Sequence, residues 1–206
     1  MKKLMYLMAM MVTTIAAQAQ HEEGDYTIQP RVGATYSNIT DGDKWKLNIT
    51  YGVEFEHYLT DQFSLAGGIL FTNQGCKYNV LTETNSVSGE TIKLNIYYGA
   101  LPITANYYVL PGLALKAGIQ PAFRVKANVA QGDQKLDFDN AIYAFFGDGV
   151  KMNKFDLSIP VGFSYEFMGV TLDARYNFGV TKLISDDDNI YNKMFVVTLG
   201  YKLGRK

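Results

Sequence analysis

A single cysteine, Cys76, among 206 residues rules out an internal disulfide and any thiolate-cluster metal site, and reads as an isolated thiol. Two histidines leave little room for imidazole chemistry. Excess charge of either sign is missing too: 19 Lys+Arg stand against 20 Asp+Glu, with a pI near 6.1, so there is no electrostatic footprint for nucleic acid. Beyond residue 20 no stretch approaches the ~20 uninterrupted apolar residues of a transmembrane helix. Disorder is excluded by a composition that is 48% hydrophobic and only 19% charged. What the chain holds in quantity is Tyr (15), Phe (12) and Gly (19).

The first residues read as a targeting segment. Met1-Lys2-Lys3 is a basic start, Leu4 to Val12 a short apolar run, and Ala17-Gln18-Ala19 an A-x-A site, the pattern of a secretory signal peptide cleaved before Gln20. Residues 1–19 are therefore assigned to the leader and 20–206 to one exported domain. Cleavage removes Lys2 and Lys3 and no acids, leaving 17 basic against 20 acidic groups.

The domain alternates. From Leu113 to Val129 every second residue is apolar or Pro, while Lys116, Arg124 and Lys126 fall on the other parity. Successive side chains of a strand point to opposite faces. Eight strands follow, near 26–36, 45–59, 63–74, 91–109, 113–130, 154–168, 170–183 and 193–203. Tight turns at Thr60-Asp61-Gln62, Leu110-Pro111-Gly112 and Met168-Gly169 alternate with longer polar or Gly-rich segments. An even count, with short turns at one end and long loops at the other, predicts an all-β, eight-stranded antiparallel up-and-down transmembrane β-barrel with short periplasmic turns and longer extracellular loops.

Outside the fourth strand, the apolar parity covers 46 positions without one Asp, Glu, Lys or Arg; at average composition roughly nine would be charged. Parity alone does not say which face is inside, and two features turn the apolar face outward. The polar parity mixes small residues (Gly33, Gly52, Gly68, Gly118, Gly162, Gly179, Gly200) with long charged ones, as a narrow interior requires. Aromatics on the apolar parity collect at strand ends, with Tyr26, Phe63, Phe167 and Tyr201 near the short turns and Tyr36, Trp45, Phe71, Phe155 and Phe195 near the long loops. Such girdles mark the two membrane interfaces. The competing architecture is a water-soluble barrel with an apolar pocket.

An eight-stranded barrel is just wide enough for side chains to fill. The charged parity carries Arg31, Lys46, Glu54, Glu56, Lys116, Arg124, Lys126, Asp156, Glu166, Asp173, Arg175 and Lys202. The expected lumen network is Arg31, Glu54, Glu56, Lys116, Arg124, Lys126, Asp156, Glu166, Asp173 and Arg175, with the three arginines offering fork geometry to the acids. Such pairing makes a plug rather than a general pore. In the fourth strand Ile92, Leu94, Ile96 and Tyr98 share one parity and Leu101, Ile103, Ala105, Tyr107 and Val109 the other, which predicts a β-bulge near Gly99-Ala100, beside Pro102.

The segment Ala100-Leu101-Pro102-Ile103-Thr104-Ala105-Asn106-Tyr107-Tyr108, and later Asp173-Ala174-Arg175-Tyr176-Asn177-Phe178-Gly179-Val180-Thr181 followed by Thr198-Leu199-Gly200-Tyr201, resemble the outer-membrane β-barrel domain family of Bacteroidetes, PorT-like proteins included. The resemblance covers essentially the whole exported chain. It implies an OmpA- or OmpX-like barrel in the bacterial outer membrane, in contact with its lipid and lipopolysaccharide and inserted by the barrel-assembly machinery.

No catalytic, metal or cofactor set is expected. His57 shares its parity with Phe55 and Leu59, away from Glu54 and Glu56, so the three cannot form one site; His21 reads as a solvated tail residue. The long loop 131–153 carries Asp133, Asp137, Asp139 and Asp148 and the apolar run containing Ile142, Tyr143, Phe145 and Phe146, either packed on the rim or offered to a surface partner. The acids there, and Asp186-Asp187-Asp188, lack a calcium-loop pattern. The function expected is therefore non-enzymatic, envelope structure or surface interaction through the loops, with a narrow channel or small-ligand or lipid-binding barrel as the alternative.

Overall fold

The computed structural model describes residues 21–40, 44–81, 87–131, 134–137, 153–182 and 191–205. They form twelve strand segments: β1 (Tyr26–Ile39), β2 (Lys44–Thr60), β3 (Phe63–Gln74), β4 (Cys76–Leu81), β5 (Val87–Ala100), β6 (Ile103–Leu110), β7 (Leu113–Gln131), β8 (Gln134–Asp137), β9 (Phe155–Phe167), β10 (Val170–Lys182), β11 (Tyr191–Tyr201) and β12 (Leu203–Arg205). β3 with β4, β5 with β6 and β11 with β12 are interrupted single staves, and β8 is a short arm paired with β7. Eight antiparallel staves remain. β1 pairs with β2 on one side and with β11 and β12 on the other, which closes the ring. Closure satisfies the backbone internally and removes the sheet edges that hydrocarbon would not tolerate. The leader 1–19, the run Ile142, Tyr143, Phe145 and Phe146, and the acids Asp133, Asp139, Asp148 and Asp186 to Asp188 lie outside the described residues.

The short turns follow from local chemistry. Met168 and Gly169 both have positive φ, 51° and 79°, between the paired residues Phe167 and Val170, a two-residue type I′ hairpin whose twist matches that of the strands. Pro111 and Gly112 (φ 79°) join Leu110 to Leu113 in a type II turn. Met168 adopts a left-handed conformation that Asn tolerates better. Met168→Asn should therefore stabilise the barrel by about 1 kcal/mol, measured as a shift in the urea midpoint of the folded protein.

The faces sort as the alternation requires. Val32, Ile49, Leu115, Val161, Phe163 and Leu199 are exposed on the outer wall, while Thr35, Thr50, Glu54, Ser64, Asp173 and Thr198 are buried inside. Tyr26, Phe167 and Tyr201 lie exposed near the short turns, and Tyr36, Phe71, Phe155 and Phe195 near the long connections. Trp45 stacks on Tyr36 with centroids 5.0 Å apart.

The fourth stave corrects the sequence reading. No bulge occurs at Gly99-Ala100: Ala100 pairs with Leu70 and Ala122, and Ile103 with Gly67 and Ile119, so the register runs unbroken past Pro102. Pro102, which has no N–H to donate, only interrupts the ladder. Even-numbered residues face inward from Leu94 to Tyr108, so Leu94, Ile96 and Tyr98 are buried in the lumen rather than on the outer wall. The slip lies on the neighbouring strand instead. Opposite Tyr97 and Tyr98, β7 skips Val125, which is 72% exposed. Beyond this bulge the parity of β7 reverses, leaving Lys126 exposed and Ala127 buried. Lys126 is therefore not a lumen residue.

Candidate functional site in the barrel lumen

Small residues make the space. Arg31 stands between Gly52 and Gly200, Glu54 opposite Gly68, and both Arg175 and Lys116 opposite Gly162. The approach at Gly162 is close: a Cβ there would meet the Ala174 carbonyl oxygen at 2.2 Å and Arg175 Cβ at 2.7 Å. Only a missing side chain lets the guanidinium cross the lumen at that level.

At mid-height three cations share two acids. Lys116 Nζ lies 2.9 Å from Glu54 Oε1 and 3.0 Å from Asp173 Oδ2. Arg175 bridges the same pair, Nε to Asp173 Oδ1 at 2.7 Å and Nη2 to Glu54 Oε2 at 3.3 Å. Arg31 Nη2 and Nη1 approach Glu54 and Asp173 at 3.1 Å each, and its Nε and Nη2 donate to Gln29 Oε1. All five ionised side chains are buried. Single deletions here strand a charge in low dielectric, which is how buried pairs become costly to break.

A second cluster fills the short-turn mouth around Lys202. Its ammonium lies 3.0 Å from Glu56 Oε2 and 2.8 Å from Glu166 Oε2, and donates to the Tyr58 and Tyr108 hydroxyls at 2.6 and 3.0 Å. Tyr108 donates to Glu56 Oε1 at 2.8 Å, and Asn106 Nδ2 to the same oxygen at 2.7 Å, with the Ser64 hydroxyl as a further donor. His21 is not a solvated tail residue. Its ring stacks on Tyr58 at 4.2 Å, and its Nε2 sits 3.1 Å from both oxygens of Glu166. The backbone holds it there: Gly24 N donates to Tyr58 O and Tyr58 N to Asp25 O, both at 2.9 Å. Across the two clusters Arg31, Lys116, Arg175 and Lys202 balance Glu54, Glu56, Glu166 and Asp173.

Toward the long connections the lumen changes character. Leu70, Leu94, Ile96, Tyr98, Ala100, Ala122, Met194 and Val196 are buried there, interleaved with polar side chains such as Thr72, Gln74 and Lys46. Asp156 is buried in the same half and Arg124 is half-buried, apart from the balanced clusters. Tyr58 and Tyr108, which sequence reasoning passed over, carried one signal: both are large aromatics on the charged parity. His57 is exposed on the outer wall, its Nδ1 3.2 Å from the Asp25 carbonyl oxygen, and does not join Glu54 or Glu56. Among the described residues no group of three or more His, Cys, Asp or Glu side chains could hold a metal ion.

Residues 17–185 match the family model described as outer membrane protein beta-barrel domain. Two similar solved structures are the attachment invasion locus protein Ail of Yersinia pestis, in complex with the heparin analogue sucrose octasulfate, and Neisserial surface protein A. Ail is 13% identical with a TM-score of 0.51, over 88% of this chain and 99% of its own. Neisserial surface protein A is 13% identical with a TM-score of 0.50, over 88% of this chain and 100% of its own. At that identity the likeness concerns the fold. No curated protein sequence matches the chain.

Proposed function

This chain belongs to the outer membrane protein β-barrel domain family, and from that premise we propose that it is a non-enzymatic barrel serving envelope structure or surface interaction through its extracellular loops. The observation that carries this reading is the filled lumen. Its mid-height is spanned by buried, mutually paired charges, its periplasmic mouth is stoppered by Lys202, Tyr58, Tyr108 and His21, and apolar side chains interleaved with Lys46, Thr72, Gln74, Asp156 and Asn192 fill the rest. Side chains that fill eight staves leave no aqueous path. His57 is exposed on the outer wall, apart from Glu54 and Glu56, and among the described residues it joins no nucleophile as a base.

The finer parts of this reading are that residues 1–19 form a signal peptide and that the barrel belongs to the PorT-like group of Bacteroidetes. Its partners are the lipid and lipopolysaccharide of the outer membrane and, during insertion, the barrel-assembly machinery. A surface partner would dock on loop 131–153 through Ile142, Tyr143, Phe145 and Phe146. Reconstitution in planar bilayers tests the sealed lumen against a narrow channel. The expected trace is flat, without single-channel steps, and reproducible unitary steps would overturn the proposal.

A further inference from the structure

Four of the five carboxylates buried on the lumen face of the staves, Glu54, Glu56, Glu166 and Asp173, have a Lys or Arg nitrogen within 3.3 Å. Asp156 on β9 is the exception. It is 3% exposed, and among the described residues it forms no ion pair. Its carboxylate takes only neutral donors, the Thr181 hydroxyl at 3.1 Å and Asn192 Nδ2 at 3.2 Å. The Lys46 ammonium is engaged elsewhere, donating to Leu94 O and Asn95 Oδ1, and Arg124 stands in electrostatic reach of Tyr98. An ionised carboxylate this deep is expensive unless a positive charge reaches it.

Oxygen-bearing side chains from β11 and β5 stand around Asp156. Asn192, on β11, reaches Asp156 across the intervening strand β10 because Gly179 lies between them: a Cβ there would meet Asn192 O at 2.4 Å. With Nδ2 spent on Asp156, Asn192 Oδ1 is buried without a hydrogen-bond partner. The Tyr98 side chain lies beside Asn192 and within electrostatic reach of Asp156 and of Arg124. Asn192 and Tyr98 are 3% and 1% exposed.

We propose that Asp156, Asn192 and Tyr98 form a binding site for a monovalent alkali cation at the extracellular end of the lumen. One carboxylate cancels one positive charge, and amide and phenol oxygens suit a hard ion. A calcium site would call for six to eight oxygens, carboxylates prominent among them, and softer metals for Cys or His. The site goes beyond the structural role proposed above and holds whether or not the loops bind a partner.

The test uses the whole exported chain, folded in detergent micelles and melted in sodium chloride or in N-methylglucamine chloride at equal ionic strength. The folded fraction is read from gel mobility before and after heating. A ligand that binds only the folded state raises the midpoint by mass action, so the wild-type midpoint should be several degrees higher in sodium, and Asp156→Asn should abolish the difference. Equal wild-type midpoints in the two salts, or an Asp156→Asn barrel that still responds to sodium, would overturn the proposal. Should Asp156→Asn fail to fold, Asn192→Ala serves the same comparison. It should lose most of the sodium response, and an undiminished response in it counts against the site.

Discussion

Replacing Glu54 with Gln should lower the unfolding free energy of the barrel by about 3–5 kcal/mol, the range for removing one partner from a buried ionic cluster. Glu54 is 1% exposed and lies within 3.3 Å of Arg31, Lys116 and Arg175. Gln keeps its shape, so packing is not the variable. What changes is that three buried cations then share Asp173 alone. Adding Lys116→Met to the same chain removes one of the stranded charges and should recover part of the loss, a coupling that a double-mutant cycle measures. Urea unfolding from lipid vesicles, followed by the single tryptophan, Trp45, reads both effects. A Glu54→Gln barrel within about 1 kcal/mol of wild type would mean that the cluster contributes only the net worth of ordinary hydrogen bonds.

The second large effect belongs to the outer wall. Val161 is 46% exposed at the middle of β9, paired with Ala117 and Tyr176. Val161→Arg should cost about 2–4 kcal/mol if hydrocarbon wets that face, because a charge at the bilayer midplane is penalised by that amount. Val125, 72% exposed beside Lys126 at the bulge of β7, lies near the extracellular rim, and Val125→Arg should cost only about 0–1 kcal/mol. In water both substitutions would fall within about 0.5 kcal/mol of neutral. The gradient between the two positions, measured by urea titration in vesicles, is thus a direct reading of which solvent touches the wall.

Most of the architecture was legible because 46 alternating positions without a charge have few solutions. The tight turns were legible for a similar reason, since Pro111-Gly112 and Met168-Gly169 carry backbone preferences in their side chains, or in the lack of one. The fourth stave was misread because Leu94, Ile96 and Tyr98 look lipid-facing to any reading in which apolar means outside. Their layer is an internal core, and parity does not distinguish the two. Placing the irregularity on β5 instead of β7 then sent Lys126 to the wrong face. In the lumen, the choice of Arg31, Glu54, Lys116, Asp173 and Arg175 needed only parity and a narrow barrel. His21 was out of reach, because its partner Glu166 lies 145 residues away in the chain and no local pattern encodes that meeting.

The ring seam carries a consequence for biogenesis. β1 finds half of its hydrogen bonds on β11 and β12, at the opposite end of the polypeptide, so no N-terminal fragment emerging first can complete itself. Closing so long a loop is entropically slow. Until the last stave arrives, the unfinished sheet carries two raw edges, each a template for pairing with another chain.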